Sequence, residues 1–206
     1  MPDSKKAKPA EILLLDLGGV VLGINFRRVF RYWAQAAGVE EAVFYNGWTL
    51  DDAYKAHEIG HLNFAEYTAH LSSSLDVSMT SDQWRDGWNA LWTEPYRDVA
   101  ALFGELKKRF RLYAFSNTNR VHAESFLTLY PEVFEPFDAL FLSHEVGFRK
   151  PNVDAFRHVC RLMDVLPEQV TFLDDSQENI EGALSAGLNA FLTKNEEEVV
   201  TTLKSL

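Results

Sequence analysis

Residues 11–19, with the sequence Glu-Ile-Leu-Leu-Leu-Asp-Leu-Gly-Gly, decide the fold prediction. A short apolar run that ends in Asp16 and a glycine pair is typical of a buried parallel strand followed by a turn. Similar runs recur at residues 111–115, 139–142, 170–173 and 189–192. Helical patterns lie between the later runs, at residues 119–129, 153–163 and 178–186, the last followed by Gly187 as a C-cap. Strand alternating with helix predicts an α/β fold with a doubly wound parallel sheet.

The segment between the first two strand-like runs, residues 23–97, has a different character. Asn25 is placed to cap a helix over residues 26–37, and two pairs, Asn63 with Glu66 and Thr80 with Gln83, have the spacing of capping boxes. We see no strand-like alternation there. The sequence therefore predicts a helical cap at 23–97, inserted into a core formed by 1–22 and 98–206. Such an insert lies over the carboxyl ends of the strands, where α/β sheets bind ligands.

Composition excludes several classes of protein. The 206 residues include 20 Lys and Arg against 30 Asp and Glu, a formal charge of −10, which disfavours a nucleic-acid partner. The N-terminus lacks the apolar core of a signal peptide, and the first apolar run is too short to span a membrane. The single cysteine, Cys160, excludes an internal disulfide and a cysteine-based zinc site. We expect a cytoplasmic protein, monomeric or homodimeric, that makes no membrane contact.

Polar residues follow each of the first four predicted strands. Asp16 ends the first, Ser116 ends the second, Lys150 comes shortly after the third, and Asp174 and Asp175 end the fourth. In a parallel sheet all of them reach the same rim. Carboxylates there can hold Mg²⁺, a hydroxyl and an ammonium can hold phosphoryl oxygens, and Asp16 can attack phosphorus to form an aspartyl-phosphate. These residue types predict a magnesium-dependent phosphatase of a small phosphorylated metabolite.

These motifs resemble those of the haloacid dehalogenase-like hydrolases, most of which are phosphatases. The matching pieces, in the family's order, are Leu-Leu-Leu-Asp16-Leu-Gly-Gly-Val, Phe-Ser116-Asn-Thr-Asn, Arg-Lys150-Pro and Phe-Leu-Asp174-Asp175-Ser-Gln-Glu-Asn179-Ile-Glu-Gly-Ala. The likeness is greatest to the bacterial sugar-phosphatase branch that includes α-D-glucose-1-phosphate phosphatase. Members of that branch carry Ser-Asn-Thr-Asn and a cap segment similar to His57-Glu58. In the family, the insert after the first strand is the cap that selects substrates. The resemblance implies a Mg²⁺-dependent phosphatase of a small phosphorylated metabolite, with a sugar phosphate as the expected substrate.

The resemblance implies a role for each matching residue. Asp16 corresponds to the nucleophile and a metal ligand, and Ser116 and Lys150 to the positions that stabilise phosphate. Asp175 corresponds to a direct Mg²⁺ ligand and Asp174 to its neighbour in the acidic site. Asn117 adds a backbone contact to phosphate, and Asn179 supports the metal loop. From the cap, His57 and Glu58 are candidate substrate-binding residues.

Gly18 departs from the family's usual pattern. Phosphatases of this family usually carry an aspartate there, two residues after the nucleophile, as general acid and base. The backbone carbonyl of Gly18 can still ligate magnesium, and the sugar-1-phosphate branch shares the substitution. Since general acid–base catalysis is worth roughly 10²–10⁴-fold, the sequence predicts either leaving groups that depart easily or an acid supplied by the cap, with Glu58 and His57 as candidates.

Alternative interpretations of these residues remain open at this point. Asp16 also suits a turn before the glycines, and the Asp174-Asp175 pair also suits a helix N-cap. A 2-haloacid dehalogenase uses the same aspartate to attack carbon and needs no metal, although the retained aspartate pair speaks against it. A catalytically silent protein that binds a phosphorylated ligand is the other rival.

Several residues of the predicted cap have simpler structural interpretations. His57, Glu58 and His61 are expected to form a partly exposed polar face rather than a metal site, since no third ligand is evident. The tryptophans at 33, 48, 84, 88 and 92 are expected in the core of a helical bundle, with 84, 88 and 92 on one helical stripe. Cys160 is expected to be a small core residue.

Overall fold

Residues 11–206 are described by the structure, a computed structural model of the chain. Its strands are β1 (Glu11–Leu15), β2 (Leu22–Ile24), β3 (Trp92–Pro95), β4 (Phe110–Ser116), β5 (Ala139–Leu142), β6 (Val170–Asp174) and β7 (Asn189–Leu192). Its helices are α1 (Phe26–Ala37), α2 (Glu41–Gly47), α3 (Asp52–Glu58), α4 (Phe64–Leu75), α5 (Ser81–Asn89), α6 (Arg97–Ala100), α7 (Phe103–Leu106), α8 (Arg120–Leu129), α9 (Pro131–Phe134), α10 (Ser143–Val146), α11 (Val153–Met163), α12 (Gln177–Ala186) and α13 (Glu196–Ser205), with a 3₁₀ turn at Pro167–Gln169. The expectation that no signal peptide is present falls on residues 1–10, outside the described residues.

Five strands form one parallel sheet in the order β5-β4-β1-β6-β7. β1 lies at the centre, with Leu14 opposite Tyr113 on one side and Phe172 on the other. The chain winds outward from β1 first through β4 and β5 and then through β6 and β7. The predicted doubly wound α/β fold is confirmed. The winding direction reverses between β1 and β6, and such a reversal opens a crevice at the carboxyl ends of the strands.

Side chains of the central strand alternate between two buried clusters, one on each face of the sheet. Leu13 and Leu15 belong to the first cluster, and Ile12 and Leu14 belong to the second. The second cluster contains Cys160 of α11, which confirms its expected place in the core. The first cluster also contains Trp33, Trp84 and Trp88 from the segment between β2 and β3. Apolar packing is therefore continuous from the sheet into the inserted helices.

The inserted helices begin where the capping residues predict. Asn25 caps α1, and both capping boxes, Asn63 with Glu66 and Thr80 with Gln83, are formed. Inside the insert the indole of Trp33 stacks on that of Trp88, with centroids 5.4 Å apart, and donates to the Trp84 carbonyl at 3.0 Å. The division into a core of 1–22 and 98–206 and a cap of 23–97 stays a prediction.

Two expectations about the insert are wrong. β2 and β3 form an antiparallel ribbon, with Ile24 opposite Trp92. Trp92 therefore lies on a strand, and only Trp84 and Trp88 share the helical stripe, because α5 ends at Asn89. Strands of three and four residues are too short to show an alternation in sequence. Their partners are far apart along the chain, so local pattern does not reveal the pairing.

Within residues 11–206, no helix is both long enough and apolar enough to cross a lipid bilayer.

Gly87 tests the packing of α5 against α1. A Cβ at Gly87 would overlap the indole of Trp33, whereas a Cβ at Gly104, also helical, would meet nothing within 4 Å. We expect Gly87→Ala to lower the free energy of unfolding by about 1–3 kcal/mol through overpacking, although alanine favours helix. The control Gly104→Ala should be neutral or slightly stabilising. Urea unfolding followed by circular dichroism measures both, and a Gly87→Ala protein as stable as wild type would contradict the packing.

Candidate active site

The ammonium group of Lys150, in the loop after α10, binds carboxylates at the ends of β1 and β6. It is 1% exposed, and its Nζ lies 2.8 Å from Asp16 Oδ1 and 2.6 Å from Asp174 Oδ2. Burial by itself lowers the pKa of Lys150, but the carboxylates of Asp16 and Asp174 outweigh it and the pKa is raised. The side chain is therefore a buried cation that holds the nucleophile candidate.

Asn117 fixes the backbone of Lys150. Its amide Nδ2 donates to the Lys150 carbonyl at 2.9 Å, and its Oδ1 accepts from the Lys150 N–H at 2.8 Å. Both ends of this side chain are thus used inside the protein. Asn117 carries the loop after β4 to the loop that holds Lys150, and its side chain acts on position rather than on a ligand.

The carboxylate of Asp174 is saturated with donors from the protein. One oxygen accepts from the backbone N–H of Ser176 at 2.8 Å, the other accepts from Lys150, and Asn179 Nδ2 lies 2.9 and 3.0 Å from the two. Asp174 is fully buried. Its contacts orient Lys150 and the start of α12, and the predicted support of this loop by Asn179 takes the form of these two contacts.

Three carboxylates meet at the crevice. Oxygens of Asp16, Asp174 and Asp175 lie within 4.8 Å of one another. Burial raises the pKa of Asp16 to about 7; Lys150 opposes the shift, while Asp174 and Asp175 add to it. Burial, followed by the charge of Asp174, also raises the pKa of Asp175. The ammonium groups of Lys150 and of Lys194, which donates to the Asp175 carbonyl at 2.6 Å, do not balance three carboxylates, and a hard cation with oxygen ligands would. The donor set therefore fits Mg²⁺.

Gly19 allows the turn after the nucleophile to lie against Asp175. Its φ of 81° is in the left-handed region, and a Cβ there would overlap the Asp175 carboxylate. Gly18 differs, because the nearest atom to a Cβ at that position is Ile24 Cγ2 at 3.4 Å. A side chain at 18 is therefore compatible with the backbone, whereas one at 19 is not.

A cavity of about 140 Å³ opens above these groups. The predicted site residues that line it are Asp16, Gly18, Ser116, Asn117, Lys150, Asp175 and Asn179. The remaining wall comes from Ile24, Phe26, Tyr54, Leu91, Trp92, Thr118 and His122. The residues at the carboxyl ends of the strands thus meet in one place. The part of the wall formed by Ile24, Phe26, Tyr54, Leu91 and Trp92 comes from β2, β3 and the segment between them.

Comparison with known proteins gives the family of the chain. Residues 10–187 match the family model of the haloacid dehalogenase-like hydrolases. The chain belongs to this family. It is 22% identical over 189 residues to the D-ribitol-5-phosphate phosphatase of Bacteroides thetaiotaomicron, a match that covers 89% of this chain and 91% of that one. It is 33% identical over 105 residues, 50% of this chain and 46% of the other, to the glyceraldehyde 3-phosphate phosphatase of Methanothermobacter thermautotrophicus.

Solved structures of family members share the fold of this haloacid dehalogenase-like hydrolase. A magnesium complex of a family enzyme from Bacteroides thetaiotaomicron superposes with a TM-score of 0.79 at 23% identity, over 91% of this chain and 94% of that one. A predicted family hydrolase from Porphyromonas gingivalis gives a TM-score of 0.82 at 22% identity, over 96% and 98% of the two chains.

His57 and Glu58 of this hydrolase are not on an exposed face, contrary to expectation. Both are 3% exposed, whereas His61 is exposed. His57 donates through Nδ1 to the Leu62 carbonyl at 2.9 Å and stacks on Tyr67. It lines a separate cavity of about 410 Å³, and burial lowers its pKa. Neither residue is among those that line the 140 Å³ cavity.

Glu58 instead docks α3 on the core. Its carboxylate accepts from Arg149 Nε at 2.7 Å, and Ser143 Oγ lies 2.6 Å from its carbonyl. The same hydroxyl accepts from the Thr118 N–H at 2.8 Å. Burial raises the pKa of Glu58, with Arg149 opposing it. Arg149 adjoins Lys150 in sequence, so the end of α3 is tied to both the Lys150 loop and the loop after β4.

Sequence reasoning missed several residues of the site. Arg149 and Thr118 stand inside the motifs Arg-Lys-Pro and Ser-Asn-Thr-Asn, so proximity to Lys150 and Ser116 was a usable signal. Tyr54 and Trp92 gave no such signal, because the sequence does not distinguish an aromatic residue that lines a site from one that packs in the hydrophobic core. His122 is the remaining omission, and it lies in the first turn of α8.

The Glu58–Arg149 pair gives a stability prediction. Glu58→Gln should lower the free energy of unfolding by about 2 kcal/mol, because the partly buried Arg149 charge loses its partner. A double-mutant cycle with Arg149→Met isolates the pair. The control is Glu94→Gln, which removes an exposed partner of Arg97 and should change little. Equal effects of the two glutamine substitutions in urea unfolding would contradict a docking role for Glu58.

Proposed function

We propose that this hydrolase is a Mg²⁺-dependent phosphatase of small hydroxylated phosphate esters, acting through an aspartyl-phosphate at Asp16. The observation that carries the proposal is the meeting of Asp16, Ser116, Lys150 and Asp175 in one small cavity. A carboxylate nucleophile, a hydroxyl, an ammonium and a second carboxylate are the groups that phosphoryl transfer needs, because its catalysis depends mainly on position and charge.

Asp16 and Asp175 are the residues that would hold the metal through their side chains, with the carbonyl of Gly18 as a third ligand. Asp174 belongs to the acidic site but has both oxygens engaged, so we assign it a positioning role. When bound, Mg²⁺ supplies positive charge that neutralises the phosphoryl oxygens.

The chain's own residues set the course of the reaction. Lys150 binds Oδ1 of Asp16, which leaves Oδ2 as the attacking oxygen. A bond forms between that oxygen and phosphorus, the bond from phosphorus to the alcohol oxygen breaks, and the alcohol oxygen takes a proton from solvent water. Ser116 and Lys150 hold the phosphoryl oxygens, and Asn117 keeps Lys150 in place. Water then attacks phosphorus and gives up a proton to solvent, and the bond to Asp16 breaks to release phosphate and restore the carboxylate.

The cavity has a volume of about 140 Å³ and is half open to solvent. It suits a phosphoryl group with the nearest part of its alcohol. The two phosphatases to which the chain is similar are named for D-ribitol 5-phosphate and glyceraldehyde 3-phosphate, both short hydroxylated phosphates. Residues 23–97, acting as a cap, would select among such substrates through Phe26, Tyr54 and Trp92.

Beyond the groups assigned to the nucleophile and the metal, no carboxyl or imidazole group of the described residues is free in the cavity to replace the acid missing at Gly18. Burial raises the pKa of the Tyr54 hydroxyl, which lines the cavity, well above its ordinary value. His122 lies there, but Nε2 donates to the Trp88 carbonyl at 3.1 Å and Nδ1 faces the Asn119 amide at 3.3 Å. Burial lowers the pKa of His122 to about 3, so it stays neutral. The carboxylate of Glu58 is paired with Arg149. The alcohol must therefore leave with little help from a side-chain acid.

A substrate screen tests the proposed function. Phosphate esters and 2-chloropropionate are each incubated with the protein in Mg²⁺ and in EDTA, and phosphate or chloride release is measured. We expect phosphate release that needs Mg²⁺ and disappears in Asp16→Asn, because an amide does not attack phosphorus at a useful rate. Chloride release in EDTA would identify a dehalogenase instead, and tight binding of phosphate esters without turnover would identify a ligand-binding protein.

Gly18 gives a second prediction for catalysis. With no acid to protonate the departing oxygen, kcat/KM should depend steeply on leaving-group acidity, so anomeric sugar phosphates should outrun primary ones of similar size. The missing group is worth roughly 10²–10⁴-fold, or about 3–5 kcal/mol of barrier. Gly18→Asp, for whose Cβ there is room, should help poor leaving groups most. A flat dependence on leaving-group acidity in the natural protein would show that some group already supplies the proton.

A further inference from the structure

The peptide unit between Asp175 and Ser176 is held at both of its polar groups. Its N–H, which belongs to Ser176, donates to Asp174 Oδ1 at 2.8 Å. Its carbonyl, which belongs to Asp175, accepts from Nζ of Lys194 at 2.6 Å. The donor to the carbonyl is an ammonium, and hydrogen bonds from charged donors are about twice as strong as neutral ones. The backbone that carries the Asp175 carboxylate is therefore fixed from two sides.

Lys194 belongs to the loop after β7, the strand that lies beside β6 in the sheet. The two strands are parallel, with Asp174 opposite Leu192, so the loops that follow them lie on the same rim. Thr193 is fully buried, and its N–H donates to the Asp174 carbonyl at 3.0 Å. The carbonyls of Asp174 and Asp175 thus accept from two successive residues, and the loop after β7 holds the loop after β6.

The backbone of Lys194 is itself fixed at the start of α13. Its N–H donates to Glu198 Oε2 at 2.8 Å, and the N–H of Glu198 donates to Asn195 Oδ1 at 3.0 Å. The side chain of Lys194 is exposed to solvent. Because water competes for an exposed ammonium, its contact adds little to the free energy of unfolding. The main effect of the contact is on the position of the Asp175 carbonyl.

Lys194 acts in two opposite ways on a cation bound at Asp175. As a positive charge it repels a metal ion, and together with Lys150 it opposes the rise in the pKa of Asp175 that burial causes. As a hydrogen-bond donor it orients the residue that binds the metal. Groups that orient a metal ligand typically contribute about 10–100-fold in affinity, whereas salt screens a charge exposed to water. We therefore expect orientation to outweigh repulsion.

We propose that Lys194 is a positioning residue for the metal-binding carboxylate of Asp175. By fixing the peptide unit between Asp175 and Ser176, it directs that carboxylate toward a cation shared with Asp16. This inference rests on the proposed function, because it takes Asp175 as a ligand of Mg²⁺. It extends the site to the loop after β7.

The test measures Mg²⁺ binding by titration calorimetry, with no substrate present. We expect Lys194→Met to raise the Kd for Mg²⁺ about 10-fold, and Lys194→Arg, which keeps a charged donor, to restore most of the affinity. Urea unfolding in EDTA should show little change in either variant. An unchanged Kd in Lys194→Met would overturn the proposal. A lower Kd would also overturn it, since Lys194 would then act only as a repelling charge.

Hydrogen exchange gives a second readout that needs no metal. In EDTA, the Ser176 N–H is protected by its hydrogen bond to Asp174. Loss of the Lys194 contact frees the other end of the same peptide unit, so we expect this amide to exchange about 10-fold faster in Lys194→Met. Exchange at the wild-type rate would show that Lys194 does not fix the peptide unit, and the proposal would fail.

Lys108 provides a matched control. Its exposed ammonium donates to Glu105 at 2.7 Å, and it precedes β4, at the amino ends of the strands and away from the site. Lys108→Met removes the same charge from the protein and should leave both the Kd for Mg²⁺ and the exchange of the Ser176 amide unchanged. If it raises Kd as much as Lys194→Met does, a general effect of charge explains the result and the proposal fails.

The binding data also separate this inference from the proposed function. If wild type binds Mg²⁺ but hydrolyses no phosphate ester, the phosphatase proposal fails, yet weaker Mg²⁺ binding by Lys194→Met still supports the positioning role. If wild type hydrolyses esters with Mg²⁺ and Lys194→Met binds Mg²⁺ equally well, the positioning role fails and the phosphatase stands. If wild type binds no Mg²⁺, both proposals fail.

Discussion

The buried ammonium of Lys150, shared between Asp16 and Asp174, is the interaction on which the site depends. A cation removed from water needs compensating charge, and the two carboxylates at 2.8 and 2.6 Å supply it. The same contact ties together the ends of β1 and β6 and the loop after α10, so the geometry of the site and the local packing are inseparable there.

The negative charge of the three carboxylates at the crevice exceeds the positive charge that the protein places beside them. Asp174 accepts four hydrogen bonds from the protein, whereas Asp16 and Asp175 have only the charge that Lys150 leaves over and, for Asp175, the nearby ammonium of Lys194. Burial raises the pKa of both. A divalent cation bound there would restore the balance and keep both groups ionised. Asp174 and Asp175 are adjacent but differ, because hydrogen bonds from the protein already satisfy the carboxylate of Asp174, whereas that of Asp175 stays available for a ligand.

The inserted helices act on this site through two kinds of contact. Glu58 and Ser143 anchor α3 to the loops that carry Lys150 and Thr118, so the roof has a defined position over the rim. Phe26, Tyr54 and Trp92 then line the cavity with aromatic surface. The position of α3 and the shape of the cavity wall are therefore linked.

The sequence by itself determined the α/β fold, the strand ends and the capping boxes, because apolar runs, glycine turns and caps are local signals. It also indicated Asp16, Ser116, Lys150 and the aspartate pair, since the carboxyl ends of parallel strands share one rim. The ribbon of β2 with β3, the burial of Glu58 against Arg149 and the place of Trp92 in the cavity wall required the tertiary structure. Each of these depends on contacts between residues about 70 to 90 positions apart, and no local pattern encodes which distant partner a short strand, a carboxylate or an indole will meet.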